Sequence, residues 1–295
     1  IPMKIRSMVG LIPLFACEVL ESSELANLPG FTRRLNWFLQ NRGDLARNIS
    51  YMQEGEGEDA LVGRRLLAIP SKERLLRVLR YMLDEKEFLS PYGIRSLSRI
   101  HQEHPYRLGS GGSDYSIAYD PGESTTYMFG GNSNWRGPVW FPVNALIIES
   151  LERYHHFYGD ALKVEYPTGS GNLLDLKSIA RELAGRLVRL FVPDSGGTRP
   201  VHGRDRRYAE DPAWKDLLQF YEYFHGDDGR GIGAAHQTGW TAMVTRALEE
   251  IAKARTEVRV SVPPVRPVRR LMAVVAADGH AASERETVRD SSKRA

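Results

Sequence analysis

The chain has 295 residues, of which 42% are hydrophobic and 26% charged, enough for one large domain or two ordinary ones with a sizeable core. Lys and Arg outnumber Asp and Glu by 40 to 37, but the excess sits at the end: residues 253–295 carry +5 and residues 1–252 carry −2. A slightly acidic body excludes a nucleic-acid-binding core, and the single Cys17 excludes a disulfide framework or a site with two Cys ligands. Apolar runs such as 271–277 are too short to span a bilayer, and no signal-peptide pattern opens the chain. These features read as a soluble, cytoplasmic protein with no membrane or nucleic-acid partner. The chain opens Ile1-Pro2-Met3, from which a gene product longer at its start is expected.

In chain order, residues 11–20 predict a short helix containing Pro13, and Phe31, Leu35, Phe38 and Leu39 predict another over 31–41. Leu75, Leu76, Val78, Leu79, Met82 and Leu83 recur at spacings of three and four after Ser71, a residue suited to cap the helix they predict. The same period marks 143–158, 173–192 and 238–252. The only alternating run is 258–262, so a helical body is expected over residues 1–251. The stretches between helices are long (52–63, 88–142, 193–215, 224–237) and rich in Gly, Pro, Ser and aromatics. Long loops in a compact domain usually serve function, and helices joined this way suggest a barrel or toroid with its site at one end. Residues 252–295, with Pro263, Pro264, Pro267 and scattered Arg, read as a basic, poorly ordered tail.

Two stretches carry the chemistry. In 130–142, Trp135, Arg136 and Trp140 are held by Gly and Pro just before a helix. Indole faces stack on the C–H faces of sugars, and Arg forks onto hydroxyls or carboxylates; the same composition also fits a buried aromatic cluster with Arg136 paired to an acid. In 220–241, Glu222 is a lone carboxylate among Phe220, Tyr221, Tyr223 and Phe224. Such neighbours disfavour its charge and suit a general acid or base, with Arg136 the leading donor to hold it ionised; a core acid paired with an Arg is the rival reading. Glycines 229, 231 and 233 match neither a phosphate loop nor a dinucleotide fingerprint. Arg95, in the turn-rich 90–98, reaches either a ligand or only its own turn. Asp227 and Asp228 read as a solvated turn, His101, His104, His155 and His156 as surface or helix-end residues, and Cys17 as core. Neither a metal nor a cofactor is expected.

The segment Asn134-Trp135-Arg136-Gly137-Pro138-Val139-Trp140, followed by Asn144, resembles the Trp-Arg-Gly-Pro-(Ile/Val)-Trp segment of glycoside hydrolase family 63. That family includes processing alpha-glucosidases, their bacterial homologues and mannosylglycerate hydrolases. The segment 91–98, Pro-Tyr-Gly-Ile-Arg-Ser-Leu-Ser, is similar to a second family segment, and Glu222-Tyr223 with Gly229, Gly231 and Gly239-Trp240-Thr241 to the segment around the family's catalytic base. The motifs follow family order across about 7–250. The resemblance implies an all-α fold, an (alpha/alpha)6 barrel incomplete in this chain, and hydrolysis of an alpha-glycosidic bond with inversion. It implies Glu222 as general base and Trp135, Arg136, Gly137, Trp140, Arg95, His236, Gln237 and Trp240 as substrate contacts. An inverting enzyme needs a second carboxylic acid, and no segment here resembles the one carrying it. The expected partners are therefore an oligosaccharide or small glycoside and the missing N-terminal part of the same enzyme. The rivals are another (alpha/alpha)6 hydrolase or phosphorylase, and a non-catalytic carbohydrate-binding or scaffold protein.

Overall fold

The computed structural model describes residues 3–46, 64–110, 113–123, 134–236 and 238–261. At its centre α5 (Phe141–Tyr158) packs along α6 (Leu176–Val188), which packs in turn on α9 (Val244–Ser261). The inner face of α5 follows from its sequence: Asn144, Ile147, Leu151, Tyr154 and Phe157 recur every three or four residues and are all buried. Pro142 starts that helix without forfeiting a needed N–H, and Gly159 ends it at φ +61°. Asp175 caps α6, accepting from Ser178 N at 2.9 Å and Ser178 Oγ at 2.6 Å. Ser71 caps α4 (Lys72–Met82), which buries Leu75, Leu79 and Met82 in the same core as Ile147 and Leu151.

The intervals between these helices hold short antiparallel two-stranded ladders. They are β1 (Cys17–Leu20) with β2 (Arg65–Ala68), β3 (Leu89–Ser90) with β4 (Gly93–Ile94), and β5 (Tyr106–Ser110) with β6 (Ser113–Ile117). Next come β7 (Lys163–Glu165) with β8 (Leu173–Asp175) and β9 (Tyr223–Phe224) with β10 (Gly231–Ile232). Two to five residues are too few for an alternating pattern to register.

The helix expected over 11–20 is not formed. Two 3-10 turns around Pro13 give way to β1, because Cys17–Leu20 finds a register partner in Arg65–Ala68, with Cys17 opposite Ala68. Residues 173–175 form β8, so α6 starts at its Asp175 cap. The helix expected over 238–252 is broken into α8 (Thr238–Thr241) and α9, and α9 continues to Ser261 as helix through both the boundary drawn at 252 and the alternating run. The rest of the tail lies outside the described residues. Three short helices, α1 (Ser22–Asn27), α2 (Pro29–Asn41) and α3 (Gly43–Ala46), follow β1, and α2 fully buries none of its side chains. Among the described residues, no helix is long and apolar enough to cross a membrane.

A 3-10 turn over Pro200–His202 packs against β10, and buried His202 stacks flat on Tyr208 of α7 (Arg207–Glu210) at 3.7 Å. Burial, and secondarily the neighbouring Arg199, hold its imidazole at a pKa of about 4. An unfolded histidine binds its proton near pH 6.5. The neutral ring therefore contributes stability that is fully present above that pH and lost as pH falls from 6.5 to 4, on the order of 3 kcal/mol. His202→Phe keeps the stack, and chemical denaturation at several pH values is expected to show a flattened stability loss in that window.

Candidate active site

Three segments distant in sequence are brought edge to edge by single β-bridges. Val139 pairs with Arg95 on one side and Phe224 on the other, with Val139 N donating to Phe224 O at 2.8 Å and Phe224 N to Val139 O at 3.0 Å. Ser96 N donates to Pro138 O at 3.0 Å. This register sets Trp140 beside Tyr223, and their rings stack at 4.7 Å. Trp135 stacks almost parallel on Trp140 at 4.1 Å, and Trp240 meets Trp140 edge-on at 6.2 Å. The result is an aromatic platform made by residues from 135 to 240, buried at Trp140 and Tyr223 and 37% exposed at Trp135.

Glu222 sits at the rim of this platform. It is half-buried, directly before β9, and its Oε2 accepts from Ala234 N at 3.4 Å. The Trp240 indole N–H donates to Glu222 O at 3.1 Å, and Thr241 Oγ donates to Tyr221 O at 2.7 Å. These two bonds explain the break between α8 and α9, since the first turn is tied to the Glu222 segment. Gly233, just past β10 at the open end of the hairpin, has φ +75°, and a Cβ there would stand 2.6 Å from Glu222 Oε2. Glycine at this position thus lets the backbone pass close against the carboxylate.

The other candidate residues separate by environment. Arg136 is buried, and its Nη2 has no hydrogen-bond partner among the described residues. Desolvation lowers its pKa, opposed by Asp120. A buried guanidinium with a free donor suits a polar ligand group. Gly137 N donates to Ser96 Oγ at 3.0 Å, so Gly137 holds the loop down. His236 is exposed and bridges Phe220 in parallel, two residues from Glu222. Gln237 lies outside the described residues.

Arg95 has a different setting from the one its motif suggests. It is 2% exposed, and Nε donates to Tyr119 Oη at 2.9 Å, Nη1 to Leu89 O, and Nη2 to Asp227 Oδ1 at 3.0 Å. Its donors are turned to protein groups. Asp227, read from sequence as part of a solvated turn, is that buried cation's partner, whereas Asp228 pairs with exposed Arg230. Tyr119 was not singled out by any sequence signal beyond its place before the Asp120-Pro121-Gly122 turn.

Elsewhere, a groove of about 450 Å³ lies between β1, β2 and α5, and one of about 300 Å³ between α5, α6 and α9. Neither includes Glu222. His155, Asp160 and Asp175 gather at the end of α5, with Asp175 3.5 Å from Nδ1 and Asp160 3.7 Å from Nε2. Carboxylates at opposite ring nitrogens suit an ion pair better than shared coordination, which uses one nitrogen.

Residues 66–241 match the mannosylglycerate hydrolase MGH1-like glycoside hydrolase domain. This chain belongs to that family. The MGH1-like domain therefore spans both the aromatic platform and Glu222, and the expected kinship with glycoside hydrolases holds. The uncharacterized protein YMR196W of Saccharomyces cerevisiae is 49% identical over 255 residues, 85% of this chain and 23% of that protein. A probable mannosyl-oligosaccharide glucosidase of Schizosaccharomyces pombe is 27% identical over 60% of the chain and 15% of its own length. The mannosyl-oligosaccharide glucosidase of S. cerevisiae is 28% identical over 65% and 17%. The chain spans less than a quarter of the length of the curated relatives it matches.

Trp135→Ala removes the exposed indole from the MGH1-like domain's platform and leaves the Trp140–Tyr223 stack. An aromatic stack contributes about 0.5–1.5 kcal/mol beyond burial, so a saccharide that stacks on Trp135 is expected to bind the variant roughly 2- to 10-fold more weakly. Calorimetric titration of the full-length protein and the variant checks this.

Proposed function

We propose that the full-length protein hydrolyses alpha-glycosidic bonds with inversion, in an oligosaccharide or small glycoside, and that Glu222 is its general base. The observation that carries this reading is the position of Glu222: a half-buried carboxylate at the rim of the Trp135–Trp140–Tyr223 stack, held by the Ala234 N–H. A sugar stacked on the indoles would bring its anomeric carbon within reach of water held by that carboxylate. In the step, water oxygen bonds to the anomeric carbon on the face opposite the leaving group as Glu222 takes its proton. The glycosidic C–O bond breaks and the leaving oxygen receives a proton from a second carboxylic acid. That acid belongs to a part of the full-length protein outside this chain.

Arg136, whose buried Nη2 has no partner among the described residues, fits a hydroxyl of the bound sugar, and exposed His236, bridged to Phe220, is a further candidate contact. Arg95 and Gly137 support the loops from below. In this reading the helices belong to an (alpha/alpha)6 barrel completed by other segments. Support comes from α2, whose Phe31 and Trp37 stay 48% and 58% exposed, an apolar face suited to further packing. The names of the two glucosidase relatives favour a glucoside as substrate.

The test is a screen of the full-length protein against alpha-linked gluco- and manno-disaccharides and their glycerate conjugates, with the product anomer read by NMR. Turnover with release of the beta anomer supports the reading. Binding without turnover across the panel refutes it.

A further inference from the structure

Arg95 and Asp227 form a polar triad with Tyr119, a residue given no role above. Tyr119 Oη donates to Asp227 Oδ1 at 2.9 Å and accepts from Arg95 Nε at 2.9 Å, while Arg95 Nη2 closes the triangle on the same Oδ1 at 3.0 Å. The three side chains come from three separate segments: the one following β4, the one following β6, and the turn between β9 and β10.

Tyr119 is the hub of this arrangement. Its ring is 7% exposed and lies where two backbones approach each other. A Cβ on Gly137 would stand 2.7 Å from Tyr119 Cε2, and one on Gly226 would stand 2.9 Å from Tyr119 Oη and 2.6 Å from Gly137 O. Only glycine at both positions lets the platform loop, the tyrosine and the hairpin turn stack this closely. Burial pushes the phenol's pKa far up, so it remains a hydroxyl donor at any working pH.

We infer that Tyr119 is a positioning residue for Glu222, acting through the Arg95–Tyr119–Asp227 triad to fix the turn of the β9–β10 hairpin. The hairpin is two residue pairs deep, Tyr223 with Ile232 and Phe224 with Gly231. Glu222 and its donor Ala234 stand at its open end, one on each flank. With so short a ladder, the geometry at the open end depends on what holds the turn as well as on the Trp240 and Thr241 bonds to Glu222 O and Tyr221 O. Gly226 N also donates to Pro121 O at 2.8 Å, two residues from Tyr119, which makes the clamp two-point. Arg95 and Tyr119 are buried and both bond to Asp227 Oδ1, a closed network that gives this rigidity.

The inference rests on Glu222 being the base, so its test includes Glu222→Gln. The probe is alpha-D-glucosyl fluoride with the full-length protein; fluoride departs without protonation, so the rate reports the base. Tyr119→Phe keeps the ring and the direct Arg95–Asp227 pair but removes the hydroxyl. At temperatures where circular dichroism shows it folded, kcat is expected to fall about 10- to 100-fold, the effect of a misplaced catalytic group. KM is expected to stay within a few-fold, so that the loss falls on kcat, as it does when a catalytic group is misplaced and binding is kept.

A role confined to stability would lower the unfolding temperature and leave kcat and KM per folded molecule as in the wild type, which overturns the inference. Should Tyr119→Phe not fold, Asp227→Asn, which keeps the ring, is read by the same two criteria. If Glu222→Gln keeps wild-type turnover, the base assignment and this inference fall together. If Glu222→Gln is inactive while Tyr119→Phe is normal, only the inference falls.

Discussion

Replacing Glu222 with Gln in the full-length protein is expected to lower kcat on alpha-linked disaccharides by about 10²–10⁴-fold, the usual contribution of a positioned acid or base. KM should stay within a few-fold, because the amide keeps the shape of the carboxyl and its Oε can still accept from Ala234 N. Stability should barely change. Glu222 is half-buried, carries no ion pair among the described residues, and its main-chain carbonyl, not its carboxylate, receives the Trp240 indole. Full activity together with a loss of several kcal/mol would make it a structural acid.

The second large effect is expected at Asp227, in the opposite currency. Asp227→Ala leaves Arg95, 2% exposed, with the Tyr119 hydroxyl and the Leu89 carbonyl as its side-chain partners among the described residues. Stranding a buried charge in this way costs about 3–5 kcal/mol, read as a lowered midpoint in chemical denaturation of the full-length protein. Asp228→Ala, one residue on, removes an exposed pair with Arg230 and should cost at most about 1 kcal/mol. Similar losses at the two positions would contradict the contrast drawn between them.

The helices that carry the core were legible because a buried stripe repeating every three or four residues is a local property. The stripes of α4 and α5 can be read directly off Leu75, Leu79 and Met82, and off Ile147, Leu151 and Tyr154. The aromatic residues of the platform and Glu222 were legible as residue types concentrated between glycines and prolines. What brings them together was not, since Val139 reaches both Arg95 and Phe224 through one bridge each, and a one-residue bridge leaves no periodic trace. The same holds for Asp227. A carboxylate in a Gly-rich turn looks solvated until a tyrosine and an arginine more than 100 residues upstream are folded onto it. Residues 11–20 depart from their local pattern for a related reason: their apolar spacing suits a helix, but strand pairing with Arg65–Ala68 across a long separation prevails after Pro13.

Arg136 shows how far composition carries. Its type and its place between Trp135 and Gly137 mark it as a ligand-contacting residue or the partner of a core acid. The structure leaves Nη2 buried with no hydrogen-bond partner among the described residues, which favours a ligand. The donor at Glu222 is nevertheless a backbone amide rather than this guanidinium.

The most direct measurement of the central claim is the NMR time course of alpha-D-glucosyl fluoride hydrolysis by the full-length protein and by Glu222→Gln. An inverting enzyme with Glu222 as base releases beta-glucose first, and the Gln variant makes almost none. Alpha-glucose as the first product, or an undiminished rate in the variant, would contradict it.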